Sequence, residues 1–200
     1  MNILVIGATG TIGKEIYHSL KKQYKEVYAA HRKSTSFPVD ITDSQSIKNL
    51  FEKLPKLDIV INAAGTATWK HFSDLTEEDY YIGIKSKLMG QVNLVRIAQD
   101  YLNNNGAITL TTGILAEHYE SKATALSLVN GAIHSFVQSA SNELKNNIRL
   151  NVVAPGAIAG DFPENQKFAG YYPVDIQKVI EVYKKTIETN STGQILKIYE

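Results

Sequence analysis

Cysteine is absent from this 200-residue chain. That excludes disulfides, thiol nucleophiles and cysteine-based zinc sites. A charge of one sign is lacking too. Lys and Arg number 21 against 20 Asp and Glu, for a net charge of +1, so no global field draws in nucleic acid or an acidic membrane. No apolar run is long enough to span a bilayer, and the first residues lack a charged-then-apolar leader pattern, so a cytoplasmic location is expected. The histidines His18, His31, His71, His118 and His134 share no metal-ligand spacing such as H-E-x-x-H, and no metal is expected. There is no G-x-S-x-G elbow of the serine hydrolases. The 11 tyrosines are scattered, not interleaved with a basic stripe that would hold single-stranded nucleic acid.

What is present is an alternation. Strand-length apolar runs are predicted at residues 2–6, 26–31, 58–62, 107–111, 148–153 and 194–199, with a short strand around Val39 ending at Asp40. Helical periodicity fills residues 11–22, 44–54, 77–103 (in one or two pieces), 123–145 and 175–189. Near-continuous apolar strands between amphipathic helices predict an α/β fold: a Rossmann-like, doubly wound parallel sheet with helices on both faces. The length suits one domain over 1–200, and 44% hydrophobic residues supply a core without cross-links. Thr76-Glu77-Glu78-Asp79 reads as a helix N-cap with acids on the favourable end of the dipole. The one long irregular stretch, residues 155–173, has the character of a binding loop.

The first apolar run leads directly into Gly7-Ala8-Thr9-Gly10-Thr11-Ile12-Gly13. In a dinucleotide fold the first glycine permits the turn, the middle one admits the pyrophosphate, and the last brings helix and strand together. The phosphates then sit on the helix N-terminus, where free amides and the dipole favour anions. Gly7, Thr9, Gly10, Thr11, Ile12 and Gly13 are therefore candidate cofactor-binding residues. A nucleoside-triphosphate loop, G-x-x-x-x-G-K-[ST], fits poorly: Gly7 lies one residue too far from Gly13-Lys14, and Glu15 stands where a hydroxyl is needed. A tight turn without a ligand is the bland alternative.

The second strand ends Ala29-Ala30-His31-Arg32-Lys33. An NAD site usually places an acid there for the ribose 2′-hydroxyl. Here Arg32 offers a fork for a 2′-phosphate, with His31 beside it, so NADP(H) is favoured over NAD(H). A solvated basic turn is the competing reading.

Further segments resemble the short-chain dehydrogenase/reductase family. Val39-Asp40-Ile41-Thr42-Asp43 looks like its acid near the adenine. Asn62-Ala63-Ala64-Gly65 is similar to its N-A-A-G turn. Ile148-Arg149-Leu150-Asn151-Val152-Val153-Ala154-Pro155-Gly156 resembles its I-R-V-N-x-V-x-P-G segment. The resemblance implies cofactor contacts from Asp40, Ile41, Asn62, Ala63, Ala64, Gly65, Pro155, Gly156 and Ile158. It also implies carbonyl or alcohol chemistry by a tyrosine acid or base, a lysine, a serine and an asparagine. Counted back from Glu143-Leu144, the tyrosine position falls on Leu126 and the lysine position on Asn130, neither able to do that work. The serine position falls on Thr112 and the asparagine position on Lys87, the two candidate catalytic residues. Tyr119, Lys122, Tyr171, Tyr172 and His118 are substitutes for the missing acid, each more readily read as a surface or loop residue.

Two functions remain open. One is an atypical NADP(H)-dependent oxidoreductase acting on a small molecule. The other is a non-catalytic NADP(H)-binding sensor or scaffold. A homodimer or homotetramer is expected, because residues 85–103 and 123–145 carry apolar side chains on more than one face.

Overall fold

Along β1 (Asn2–Ile6) the side chains part in two directions. Leu4 and Ile6 enter a cluster of 21 buried residues, and Ile3 and Val5 enter another of 17. The same period-two division splits Val60 from Ile59 and Ile61 in β3 (Leu57–Asn62). A strand covered on both faces favours apolar side chains at nearly every position, which is why the strands read as nearly unbroken apolar runs. Each fully buried Leu, Ile or Val contributes roughly 1.5–3 kcal/mol, so the two clusters dominate the stability.

The computed structural model describes residues 1–200. The remaining elements are α1 (Thr11–Lys21), β2 (Glu26–Ala30), α2 (Ser44–Glu52), α3 (Glu77–Gly83), α4 (Gly90–Ala98), β4 (Leu102–Thr111), α5 (Thr124–Ala140), β5 (Arg149–Pro155), α6 (Ile176–Glu188) and β6 (Ile195–Ile198). The sheet has the order β2-β1-β3-β4-β5-β6 and every pairing is parallel. From β2 the chain crosses back over β1 to start β3. The carboxyl ends of β1 and β3 therefore flank the point where strand order reverses, the place where open α/β sheets bind ligands. Leu94, Val95, Ile133 and Val137 of α4 and α5 close one face, and Ile16, Leu20, Val179 and Tyr183 of α1 and α6 close the other. No helix is long and apolar enough to cross a membrane.

Four boundaries differ from expectation, each for a local reason. The strand around Val39 is a single bridge between His31 and Pro38; Pro38 has no N–H, and the Asp40 amide goes to Ser46 Oγ at 2.9 Å. The predicted 77–103 helix ends at Ala98 and is interrupted by a π-helical turn, Ile84–Met89, between α3 and α4. β4 starts early, at Leu102, and passes a register irregularity near the left-handed Asn105 (φ 62°). α5 stops at Ala140, where the Ser141 hydroxyl and Asn142 amide bond back to the Gln138 carbonyl, and Asn146 and Asn147 then take positive φ. The expected N-cap holds: Thr76 and Asp79 form a reciprocal capping box on α3.

Three strands carry polar residues into the core: Asn62 in β3, Thr109 and Thr111 in β4, and Asn151 in β5. Thr111 Oγ1 donates to the Asn62 carbonyl at 2.6 Å and lies 2.6 Å from Tyr183 Oη. With its proton already given to Asn62, Thr111 must accept from Tyr183. Burial and removal from water push the Tyr183 phenol above its ordinary pKa, so it stays a donor. Thr111→Val removes the middle of this chain and orphans two buried groups, at an expected cost of ~1–3 kcal/mol, whereas Tyr183→Phe removes only its end and costs about 1 kcal/mol. Urea midpoints with unchanged slopes should rank the valine variant below the phenylalanine one; the reverse order would show that the hydrogen bonds run differently.

Candidate functional site

Gly7 has φ +82°, a conformation open to glycine, and a Cβ on it would lie 2.8 Å from the backbone of Ala63 and Ala64. A Cβ on Gly13 would collide with the Gly7 carbonyl, so α1 is pressed against the end of β1. Gly10 differs, since its Cβ direction is open apart from the Gly7 oxygen at 3.5 Å. It also serves as the N-cap of α1 with no side-chain cap and no acid in the first turn. The amides of the first turn are left uncapped at an open surface, the arrangement that suits a bound anion.

A cleft of about 500 Å³ opens over this turn, lined by Gly7, Thr9, His31, Arg32, Ile41, Ala64 and Gly65 among others. Gly10, Thr11 and Ile158 line a neighbouring depression. Three predicted residues support the wall without lining it. Gly13 packs beneath Gly7, the Ala63 amide bonds the Ile6 carbonyl at 2.9 Å, and Asn62 is fully buried. The Asn62 amide donates to Ala64 O at 2.8 Å and to Gln91 Oε1 at 3.2 Å, which fixes the turn after β3. Asp40 also stands outside the lining. It pairs with Arg32, Nε to Oδ2 at 3.3 Å, with both side chains exposed. Its carboxyl is held below its ordinary pKa, first by the Thr42 amide, then by the Thr42 hydroxyl and the Arg32 charge. Such an exposed pair is weak, and the guanidinium keeps donors free.

A second cleft of about 380 Å³ is separated from the first by the contact of Gly65, which lines the first, with Lys87, which lines the second. Ile12, Pro155, Gly156 and Ile158 form its floor, and Lys87, Thr112, Leu126 and Asn130 all line it. The four positions that the resemblance marks as catalytic are thus brought together from the π-helical turn, the end of β4 and two turns of α5. Lysine and asparagine are exchanged with respect to the expected pattern. Lys87 is half-buried, and desolvation of its ammonium lowers its pKa to about 8. Asn130 is buried, and its Oδ1 has no hydrogen-bond partner. The 155–173 loop supplies Asp161, Phe162 and Phe168, with Phe168 stacked on Trp69 at 6.0 Å.

The substitute acids named from sequence are not in this cleft. Tyr119 is 87% exposed, and Tyr172 is 58% exposed beneath Lys167. Lys122 lies in the bend before α5 at φ 66°. His118 and Tyr171 pack edge to face at 5.0 Å beside Tyr199, and Tyr171 lines a different depression. One group was missed: His134, buried on α5, has Nε2 2.9 Å from Thr112 Oγ1. Its spacing of four from Asn130 puts both on one helical face, but only the fold brings it to Thr112.

Comparison with known proteins agrees with this fold. The family profile described as enoyl-(acyl carrier protein) reductase matches residues 12–191. A short chain dehydrogenase from Claviceps purpurea is 31% identical over 149 residues; the match covers 72% of this chain, which spans 56% of that relative's length. The crystal structure of the protein lin1944 from Listeria innocua superposes with a TM-score of 0.94 at 38% identity, covering 100% of both chains. A small-chain dehydrogenase solved with NADPH shares the fold at a TM-score of 0.87 and 23% identity, over 99% of this chain and 96% of that one. The glycine turn and the parallel sheet belong together because the chain is a member of the short-chain dehydrogenase/reductase family, oxidoreductases that bind a nicotinamide dinucleotide.

Proposed function

We propose that this protein is an NADP(H)-dependent oxidoreductase of unassigned substrate whose catalytic tetrad has departed from the family pattern. The observation that carries this reading is the pair of clefts on either side of the contact between Gly65 and Lys87. The first offers an uncapped helix N-terminus and a basic strand end, and the second offers Lys87, Thr112 and an apolar wall. The residues fit the cofactor at both ends. Gly10 leaves room for a pyrophosphate, and Arg32, Lys33 and His31 surround the place of a 2′-phosphate. The solved neighbour with NADPH is consistent with that preference. When bound, the nicotinamide supplies or accepts a hydride. Pro155, Gly156 and Ile158 then shape the pocket for its ring, and Thr112 presents a hydroxyl to the reacting oxygen.

A second reading, a non-catalytic NADP(H) sensor or scaffold, is favoured by one observation. Leu126 and Asn130 face the cleft where a phenol and an ammonium would be needed. Against it stands the desolvated Lys87, a costly feature for a pocket with no chemistry to perform. We also propose a homodimer or homotetramer. Ile82, Met89 and Leu128, on α3, the π-helical turn and α5, are all more than a third exposed, and an apolar face of this kind asks for a partner.

Calorimetric titration should give tighter binding of NADP(H) than NAD(H). Arg32→Ala should weaken the phosphorylated cofactor alone by on the order of 1.5–3 kcal/mol; equal affinities in the unmutated protein would refute the preference. Simple unactivated ketones should oxidise NADPH poorly, since loss of a tuned general acid costs ~10²–10⁴-fold. The double change Leu126→Tyr, Asn130→Lys should raise that rate, and ordinary brisk turnover without it would place the acid elsewhere. Light scattering at micromolar concentration should give a multiple of 22.2 kDa; the monomer mass alone would remove the oligomer.

A further inference from the structure

We propose that Thr112, His134 and Glu117 form a proton relay into the second cleft, with the Thr112 hydroxyl as the catalytic group and His134 as the positioning residue behind it. This rests on the reading that the cleft holds NADP(H) and a carbonyl or alcohol.

Thr112 follows β4, and its amide bonds the Val153 carbonyl at 3.0 Å, so its position is that of one more rung of the sheet. Thr112 lines the cleft, and its hydroxyl lies 2.9 Å from His134 Nε2. The imidazole does not line the cleft and reaches the substrate only through Thr112. Its Nδ1 lies 3.8 Å from Glu117 Oε1, while Glu117 Oε2 pairs with Lys197 Nζ at 2.7 Å. Hydroxyl and imidazole are therefore hydrogen-bonded, and the carboxylate stands at ion-pair distance on the imidazole's other nitrogen, the order in which a buried imidazole passes protons while a carboxylate steadies its charged form. The cleft offers one more fixed polar group, the Lys87 ammonium, which is a donor. With Trp69, Phe162 and Phe168 as walls, the chemical class that fits is an aromatic or bulky apolar ketone, or its alcohol, carrying a second polar group.

In the reducing direction the carbonyl carbon receives the hydride pair from the dihydronicotinamide, and the carbonyl oxygen takes the Thr112 hydroxyl proton. Thr112 Oγ1 is reprotonated from His134 Nε2, and the imidazole becomes neutral. It then regains a proton from water. One ketone, one reduced cofactor and one proton give one alcohol and one oxidised cofactor. The oxidising direction runs the same transfers backwards, with neutral His134 as the acceptor. Burial lowers the imidazole pKa, Glu117 raises it and Lys197 lowers it further, so the net shift is downward. The reductive rate should therefore fall as pH rises through a midpoint below the ordinary imidazole value. Lys87, whose pKa is about 8, and Asp161 are the ionisable groups facing the cleft itself. Any bend from Lys87 lies well above that of His134.

The test uses the full chain with NADPH and trifluoroacetophenone, an activated aryl ketone, together with nitrogen-15 NMR titration of His134 in the free protein. The NMR midpoint and the bend in the rate profile should coincide. Thr112→Val should shift the midpoint in the free protein, lower the rate by ~10²-fold and remove the bend, with NADPH affinity kept. Thr112→Ser, which retains the hydroxyl, should preserve both rate and bend and guards against a folding defect in the valine variant. His134→Gln keeps a hydrogen bond to Thr112 but cannot titrate, so the rate should fall and the bend vanish. Rate and bend retained in His134→Gln, an unmoved midpoint in Thr112→Val, or no turnover by a protein that binds NADPH would each overturn the relay and leave the cofactor assignment standing. Failure to bind NADPH at all would overturn the assignment, and the relay with it.

Discussion

Where parallel strands end together, their last amides and carbonyls lose the neighbouring strand, and something else must pair with them. In this protein the Gln91 side chain does so for β4. Its Oε1 accepts from the Thr111 amide at 3.1 Å and its Nε2 donates to the Thr111 carbonyl at 3.1 Å, so one side-chain amide reproduces a rung of the ladder. The same amide reaches Asn62 at the end of β3 and the Lys87 carbonyl in the π-helical turn, at 3.2 and 3.1 Å. Thr111 carries the connection to Tyr183 on the opposite face. Such a buried network is stabilising only when every member is satisfied. Here it ties together both strand ends that flank the switch point and the turn that holds Lys87.

The position of the second cleft follows from that closure. A π-helical turn widens a helix by one residue per hydrogen-bonded ring and often marks a functional site. Here it carries Lys87 against Gly65, where a Cβ would come within 3.1 Å of the lysine Cγ. Gly65 has φ +140°, and any side chain there would be strained and would press the turn after β3 a few tenths of an ångström away from the π-helical turn. On the other side Thr112 extends β4 by one residue, and α5 packs Asn130 and His134 along its inner face. Three elements with little local reason to meet are held in register by the strand ends beneath them.

Much of this was legible in the sequence where the backbone itself dictates residue type. Gly7 and Gly13 are required by contacts that exclude a Cβ, and the apolar strands by a sheet covered on both faces. The frame counted from Glu143 picks out Leu126 and Asn130, and the segments after the neighbouring strands pick out Thr112 and Lys87; all four line one cleft. Side-chain partnerships across long separations left no trace. Thr112 and His134 are 22 residues apart and Thr111 and Tyr183 are 72 apart, and no periodicity encodes either pair. His134 read as one more histidine on a helix. The tyrosines and His118 attract attention for their proton chemistry, but Tyr119 and Tyr172 are exposed, and His118 and Tyr171 pack against each other. The short strand at Val39 failed because propensity is blind to where the next amide is spent.

The exchange of lysine and asparagine between Lys87 and Asn130 has an energetic consequence of its own. Desolvation is the only cause lowering the Lys87 pKa, so no acid lies close enough to offset it, and Asp161 in the same cleft forms no ion pair with it. A folded pKa of about 8 against an ordinary value of 10.5 means that the folded state gives up its proton first. Folding stability should therefore rise with pH through that window, because the unfolded chain binds more protons there. His134 is depressed in the same sense, and its burial costs stability as pH falls through the ordinary imidazole range. The fold by itself thus favours a second cleft empty of charge, and yet at neutral pH Lys87 remains mostly protonated. Local rules are broken chiefly where a site needs them broken, and an uncompensated ammonium is such a break. A molecule in the second cleft carrying an acceptor would give Lys87 the partner that its desolvated ammonium lacks within the chain.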